Sequence, residues 1–179
     1  MTTHSRFTRH HLPLAALALA ISAAAGSAVA AVATATSTST VIAPIKIEKA
    51  ADLAFGSFAA SATPGTVTVS TNGTRSATGG VTLMGSGATA AKFDVTGSGT
   101  LTYSISWVGS STSLTSGSDS MTFTRVADLT GGGAVTGDVT SGALTAGAQS
   151  IYVGGVLTVG ADQAAGNYSG TVSATVEYN

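Results

Sequence analysis

Four aspartates in turn-like segments are the side chains that could most readily do chemistry in this chain. They are Asp119, Asp128, Asp138 and Asp162. Carboxylates in such segments could coordinate Ca²⁺ or, as a pair, cleave a glycosidic bond. However, the sequence contains no Asp-x-Asp-x-Asp run and no EF-hand spacing. Because aspartate is common in turns, where its side chain hydrogen-bonds the local backbone, the pattern favours a turn role for these residues.

Histidine and cysteine are missing from the greater part of the chain. The three histidines stand at positions 4, 10 and 11, and there is no cysteine. The chain beyond residue 30 therefore lacks the usual general base, the thiol nucleophile and the commonest ligands of transition metals. A Ser-His-Asp triad is impossible there. We expect a protein that is not an enzyme and has no cofactor or metal.

Three aromatic residues are candidates for a carbohydrate-binding platform, namely Tyr103, Trp107 and Tyr152. Trp107 continues an in-facing alternation along its predicted strand, which favours packing in the core. The glycine run Gly131–Gly133 precedes neither a helix nor a Lys-Ser/Thr pair. The run is therefore predicted to be a flexible connector and not a phosphate-binding loop.

The charge of the chain argues against two classes of partner. Only 8% of the residues are charged, and the formal net charge is −1. Nucleic acids and acidic lipid surfaces are both recognised through clustered basic residues, which this chain does not have. Beyond residue 30 five basic residues face eight acids, a net charge of −3; the bases are Lys46, Lys49, Arg75, Lys92 and Arg125.

The first thirty residues have the layout of a secretory signal peptide. Arg6 and Arg9 provide a basic start, Leu12–Ala25 is an apolar run, and small residues follow at Ala28 and Ala30. The apolar run is shorter than the ~20 residues that a membrane-spanning helix needs. We expect cleavage after Ala30, with Ala33 as the alternative site, and export of a mature chain that has no transmembrane span.

The remainder of the chain has the pattern of β-structure throughout. Short segments rich in Val, Ile, Thr and aromatic residues alternate with Gly/Ser/Thr turns, as in a sandwich. Turns are predicted at Ser76–Gly80, Gly97–Gly99 and Gly131–Gly133. The predicted strands are Ile45–Lys49, Leu53–Ala59, Thr66–Thr71, Val81–Gly85, Ala91–Thr96, Leu101–Trp107, Ser120–Val126, Ala148–Val153, Val156–Val159 and Tyr168–Tyr178.

Strict alternation over Tyr168–Tyr178 indicates a strand with one buried and one wet face. The even-numbered positions carry the aromatic and apolar residues, and the odd-numbered positions carry Ser, Thr and Glu. Leu101–Trp107 repeats the pattern. We therefore predict an all-β, immunoglobulin-like antiparallel sandwich over residues 44–179, preceded by a signal peptide (1–30) and an extended segment (31–43).

Four segments resemble a known family of secreted bacterial proteins, domain of unknown function 4402. They are Leu53–Phe58, Phe93–Gly97, Val153–Val159 and Ala165–Gly170. The end of the chain, from Ala165 to Asn179, is also similar to chaperone–usher pilins of the spore-coat-U type. Such pilins carry a penultimate tyrosine and a glycine fourteenth from the end, which correspond to Tyr178 and Gly166.

The pilin resemblance implies a strand that pairs with assembly partners and a second segment that is donated to a neighbouring subunit. The pairing strand carries Gly166, Tyr168, Gly170, Val172, Ala174, Val176 and Tyr178. The donated segment is Ala31–Ala43, with alternate residues Val32, Thr34, Thr36, Thr38, Thr40 and Ile42. Two features depart from the pilin pattern: the chain has no disulfide, and its donor segment is rich in Thr and Ala where pilins carry bulky apolar residues.

The resemblance implies an exported structural subunit of a bacterial fimbria-like or pilus-like filament, located at the cell surface and assembled by strand addition. Its expected partners are copies of itself or related subunits, a periplasmic chaperone and an outer-membrane usher, with no nucleic acid. The alternative is a stand-alone secreted or surface-attached β-sandwich that acts as an adhesin or matrix protein without enzymatic activity.

Overall fold

The computed structural model describes residues 30–179, so the predicted signal peptide lies outside the described residues except for Ala30. One compact unit comprises Val41–Asn179. Residues 30–44 form no strand and their side chains are exposed. No helix in the described part of the chain has the length and apolar character to cross a membrane.

Residues 30–179 contain twelve strands, all paired in antiparallel fashion, and no helix, which confirms the all-β, sandwich-like prediction. The strands are β1 (Lys46–Ala51), β2 (Ser57–Ala59), β3 (Gly65–Val69), β4 (Arg75–Gly79), β5 (Thr82–Met84), β6 (Ala91–Thr96), β7 (Thr102–Ser106), β8 (Ser113–Ser116), β9 (Asp119–Asp128), β10 (Ser141–Ala143), β11 (Ala148–Val159) and β12 (Thr175–Tyr178).

A seven-stranded sheet is built around β11, the longest strand. One edge of β11 pairs first with β6, over Ala148–Val153, and then with β3, over Gly155–Val159. Its other edge pairs with β9. The sheet continues from β6 to β1, from β3 to β4 and from β9 to β8.

The partner change along β11 falls at Gly154 and Gly155, which corrects the prediction of two separate strands there. A side chain at Gly154 would collide with the carbonyl of Val69, and one at Gly155 would collide with the ring of Phe123. The two glycines therefore permit close approach of neighbouring strands in a continuous strand and do not form a turn.

Two smaller sheets cover the inner face of the large sheet. Strands β10, β7 and β12 form one of them, and β2 and β5 form a separate two-stranded ribbon. The first apolar core lies under the three-stranded sheet and includes Tyr103, Ile105, Ile151 and Val176. The second core comprises Phe55, Val67, Val69, Met121, Phe123, Leu157 and Val159.

Several predicted boundaries were wrong. Strand β4 occupies most of Ser76–Gly80, which was predicted as a turn, and β8 and β10 were not predicted. The predicted strand Tyr168–Tyr178 is regular only over β12, with an isolated bridge between Ser169 and Thr115. The physical reason is that serine hydroxyls bond this segment in place of part of the backbone ladder.

Candidate functional site

A groove of about 800 Å³ opens over the second core. One side, here called the wall, is Leu53–Ala60, and the other side is the C-terminal segment Gln163–Val172. The floor consists of apolar side chains from β8, β9 and β11, namely Leu114, Met121, Phe123 and Leu157. The groove is therefore a cleft with an apolar floor and polar residues such as Ser57, Gln163 and Asn167 along its sides.

The groove lies where the second core has no complete covering sheet. The first core is covered by three hydrogen-bonded strands, whereas the second is covered by the β2–β5 ribbon on one side and by Tyr168 and Val172 on the other. Phe55 of the wall packs edge-to-face on Phe123, with ring centroids 6.0 Å apart. The wall is thus anchored in the core at one aromatic contact.

Odd-numbered residues attach the C-terminal segment to the rest of the sandwich. Ser169 and Thr115 exchange two backbone hydrogen bonds of 3.0 and 2.9 Å, and the Thr171 carbonyl accepts one from the Ser111 amide at 2.8 Å. The amides of Thr171 and Ser173 donate to the hydroxyls of Ser111 and Ser110, at 2.9 and 3.0 Å. Further along, β12 continues this attachment by pairing with β7.

Even-numbered residues of the same segment direct their backbone groups the other way, because amide and carbonyl groups alternate between the two edges of an extended chain. Within residues 30–179, the amides and carbonyls of Gly170, Val172 and Ala174 have no hydrogen-bond partner. Strand β12 likewise pairs with no strand other than β7 in the described part of the chain. We call this unpaired side of Tyr168–Tyr178 the free edge.

The residues predicted for the pairing strand all lie along the free edge or at its start. Val176 is buried, and Tyr168, Val172, Ala174 and Tyr178 are half-buried. Gly166 and Gly170 are exposed, and both line the groove. The apolar side chains of the segment pack against the two cores, although Ser173, which was predicted on the wet face, is half-buried as well.

The penultimate tyrosine is tied into the fold at its hydroxyl. The Tyr178 hydroxyl accepts a hydrogen bond from the Ser98 amide (2.7 Å) and donates one to the Ala43 carbonyl (3.0 Å). A side chain at Gly97 would collide with this hydroxyl. Tyr178 therefore fixes the point at which residues 41–43 leave the domain, next to one end of the free edge.

The residues predicted for the donor segment lie outside every strand. Val32 is 85% exposed and Ile42 is 48% exposed, and Thr34, Thr36, Thr38 and Thr40 are also exposed. The backbone of this segment is in no ladder among the described residues.

The wall is the part of the site that the sequence did not indicate. Leu53–Ala59 was predicted as one strand, but the chain turns at Gly56, where φ is +67°, and only Ser57–Ala59 forms a strand. A positive φ is readily adopted by glycine alone. Phe55-Gly56 was the available signal for a break at this position.

The four aspartates occupy four separate places, and Asp128 has a turn role as predicted. Its carboxylate accepts hydrogen bonds from the amides of Thr130, Gly131 and Gly132 and from the buried Thr71 hydroxyl at 2.5 Å. Burial alone would raise the pKa of Asp128, but these hydrogen bonds outweigh it and lower the pKa. Gly131–Gly133 is consequently held by side chains, which corrects its description as a flexible connector.

The other three aspartates also have local partners or lie at the surface. Asp138 pairs with Arg125 and accepts a hydrogen bond from the Val139 amide. Asp162 adopts a positive φ of 51° in a turn, where its amide donates to the Ser61 carbonyl at 2.8 Å. Asp119 is exposed at the start of β9. No group of three or more metal-ligating side chains of His, Cys, Asp or Glu occurs between residues 30 and 179.

The three candidate aromatic residues do not form a common platform. Tyr103 is fully buried, and burial raises the pKa of its hydroxyl, which has no hydrogen-bond partner in the described structure. Trp107 packs against the first core and donates from Nε1 to the Val139 carbonyl at 2.8 Å. The Arg125 guanidinium covers the Trp107 ring at 4.3 Å from its centroid. Tyr152 is half-buried on the large sheet.

Comparison with known proteins agrees with the resemblance seen in the four sequence segments. Residues 45–178 match the family described as domain of unknown function DUF4402. A search among curated proteins found no match. The matched range includes all twelve strands, the wall and floor of the groove and the free edge. The chain belongs to the DUF4402 family.

Proposed function

We propose that this protein is an exported structural subunit of a bacterial surface filament, assembled by strand addition. In this proposal the segment Ala31–Ile42 of one copy pairs with the free edge of the next copy. The observation that carries the proposal is the free edge itself. It combines a row of unpaired backbone groups with a groove that has an apolar floor, the combination that an added strand would satisfy.

The donor segment and the free edge agree in length. Val32 to Ile42 and Tyr168 to Tyr178 each span eleven residues. At a rise of about 3.3 Å per residue both would extend over about 33 Å. One segment could therefore pair along the whole free edge without leaving a gap.

The side chains of the donor segment also suit a position along the free edge. Its even-numbered residues would face the groove, and two of them, Val32 and Ile42, are apolar and exposed. Burial of a Val or Ile side chain contributes on the order of 1.5–3 kcal/mol. Because the remaining even-numbered residues are threonines, the backbone ladder supplies a larger share of the stabilisation than in a donor with bulky side chains.

Strand addition of this kind gives an open chain of subunits. The donor and the acceptor are different surfaces of the same molecule, so the contact is heterologous. Each copy that accepts a segment still presents its own segment to another copy. Unless the rotation between copies closes a ring, the product is a filament.

Cysteine cross-linking tests this proposal directly, because the chain has no cysteine of its own. One cysteine is introduced as Thr171→Cys, on the exposed face of the segment that carries the free edge. It is combined in turn with Ala35→Cys, Ser37→Cys and Ser39→Cys, so that several registers are sampled. We expect one combination to form a ladder of disulfide-linked oligomers on a non-reducing gel after mild oxidation.

The control pairs each donor cysteine with Thr124→Cys, which is exposed on β9 but does not line the groove. This pair should give no ladder above the level of the single variants. A disulfide formed only within one chain would indicate that the segment covers its own edge. If no combination cross-links at all, the sandwich is self-sufficient and the stand-alone adhesin or matrix protein replaces the filament subunit.

A further inference from the structure

The guanidinium of Arg75 donates hydrogen bonds to backbone carbonyls of the wall and of the end of β5. Its Nη1 donates to the carbonyls of Phe55 (2.9 Å) and Ser57 (3.1 Å). Its Nη2 donates to the carbonyls of Met84 (3.3 Å) and Gly85 (2.7 Å). One guanidinium thus holds four backbone oxygens, two beside β2 and two beside β5.

The contacts of Arg75 are to backbone and not to a carboxylate. Among residues 30–179, no Asp or Glu forms an ion pair with it. The guanidinium of arginine is planar and has five donors, so it can hydrogen-bond two segments of the chain at once. The ammonium of lysine is a compact point charge. The geometry therefore depends on arginine itself and not only on a positive charge.

The chain around Arg75 is shaped to admit the guanidinium. A side chain at Gly56 would collide with Arg75 Nη1, and Gly56 has a φ of +67°. The wall therefore bends around the guanidinium at a residue that lacks a side chain. Arg75 itself lies in β4, which is paired with β3 in the large sheet.

The β2–β5 ribbon is joined to β4 of the large sheet through Gly80-Val81 and packs on the second core through Phe58 and Leu83. Its two strands pair with each other, and in the described part of the chain neither pairs with a strand of the other sheets. The wall is otherwise held by the Ala54–Thr89 bridge and by apolar packing of Phe55, Phe58 and Ala60 on the second core. Arg75 adds side-chain hydrogen bonds from β4 of the large sheet to both strands of the ribbon.

An added strand requires a fixed gap between the wall and the free edge. Neighbouring strands lie about 4.8 Å apart, so a strand inserted between two others needs a gap of about 10 Å. Apolar packing is non-directional, so directional hydrogen bonds are needed to set the position of the ribbon over the floor. We propose that Arg75 is a positioning residue that preorganises the groove by holding the wall at one distance from the free edge.

This inference rests on the proposed function for its consequence, but the position of the wall can be measured separately. Spin labels at Ala59→Cys on the wall and Asn167→Cys on the opposite side report the width of the groove, since both residues are exposed and line it. Double electron–electron resonance on the full chain gives the distance distribution. We expect Arg75→Lys to broaden it relative to the labelled parent.

The matched control is Arg125→Lys. The guanidinium of Arg125 is also partly buried, but its partners Asp138 and Trp107 do not line the groove. This change should leave the distance distribution unaltered even if it lowers the stability of the fold. If Arg75→Lys does not fold, Arg75→Gln, whose planar amide can donate to one of the two strands, takes its place.

The functional readout is the affinity of the full chain for a fluorescent peptide of sequence Ala31–Ala43. Arg75→Lys should weaken binding at least tenfold, and Arg125→Lys less than twofold. An unchanged distance distribution in the Arg75 variant would overturn the inference. A parent chain that binds no peptide, together with a broadened distribution in Arg75→Lys, would refute the proposed strand addition and leave the positioning role of Arg75 intact.

Discussion

The hydroxyl of Tyr178 donates a hydrogen bond to the carbonyl of Ala43 across 135 positions of sequence, at 3.0 Å. The two residues are therefore adjacent although they stand near opposite ends of residues 30–179. Tyr178 ends the free edge, and Ala43 is the residue at which the donor segment joins the domain. This bond thus joins one end of the free edge to the residues that lead into β1.

Removal of the Tyr178 hydroxyl should loosen this connection. Tyr178→Phe loses the bonds to the Ser98 amide and the Ala43 carbonyl, so we expect the free energy of unfolding to fall by about 1–2 kcal/mol. Tyr152→Phe is the control, because the Tyr152 hydroxyl has no hydrogen-bond partner within residues 30–179. Urea unfolding of both variants measures the difference; an equal effect of the two would contradict the assigned role.

The Asp128 turn should make stability depend on pH in the acidic range. Because hydrogen bonds lower the pKa of Asp128 in the folded protein, its contribution is present above the unfolded pKa and is lost as the pH falls through the folded pKa. Asp128→Asn should therefore destabilise the protein by about 2 kcal/mol at pH 7, the amount expected for hydrogen bonds to a charged group.

At a pH below the folded pKa of Asp128, parent and variant should approach equal stability, since the carboxyl is then neutral in both the folded and unfolded states. Urea unfolding at pH 7 and at acid pH measures the two differences. Asp119→Asn is the control, because Asp119 is exposed at the start of β9. A difference between parent and Asp128→Asn that does not shrink in acid would contradict this account.

The register of β12 can be tested with two neighbouring substitutions. Val176 is 8% exposed and packs in the first core, whereas Thr175 is exposed. Val176→Asp should cost at least 3 kcal/mol because it buries an unpaired carboxylate, or it should shift the pKa of that carboxyl upward. Thr175→Asp should change stability by less than about 0.5 kcal/mol. Equal denaturation midpoints for the two variants would show that the register is wrong.

Deletion of Ala31–Ile42 should separate the two halves of the proposed assembly contact. The shortened chain keeps its groove and free edge but has no segment to donate. Mixed with intact protein, it should therefore occupy one end of growing filaments and shorten them, which electron microscopy can measure. A shortened chain that leaves filament length unchanged, at equal concentration and with an intact fold by circular dichroism, would contradict the assigned donor.

The sequence pattern predicted the parts of the fold in which alternation is unbroken. Ala91–Thr96 was predicted with its observed bounds, and the inward residues Tyr103, Ile105 and Val176 are buried. Strand β4 was missed because Arg-Ser-Ala-Thr-Gly has no apolar alternation. The Asn72-Gly73 turn that precedes β4 was the available signal, since Asn-Gly strongly favours a two-residue hairpin turn.

The groove could be predicted only in part. The alternation of Tyr168–Tyr178 identified the strand that carries the free edge, but not which of its edges is unpaired. That depends on Ser110 and Ser111, which stand about 60 positions earlier in the chain. The hydrogen bonds of Arg75 likewise join side-chain nitrogens to backbone carbonyls, and backbone carbonyls have no signature in the sequence.

Residue-resolved amide exchange along the free edge tests the central claim most directly. The claim is that even-numbered residues of this edge are unpaired in a single copy and become paired on assembly. The measurement compares the shortened chain lacking Ala31–Ile42 with the assembled intact chain, by quenched hydrogen exchange and NMR. The amides of Ser169, Thr171, Thr175 and Glu177 should be protected in both samples and serve as internal controls.

The amides of Gly170, Val172, Ala174 and Val176 should exchange freely in the shortened chain and be protected at least about 100-fold more strongly in the assembled one, because only a ladder bond to an added strand shields them. If these four amides are already protected in the shortened chain, or remain unprotected after assembly, the free edge is not the surface through which the copies join.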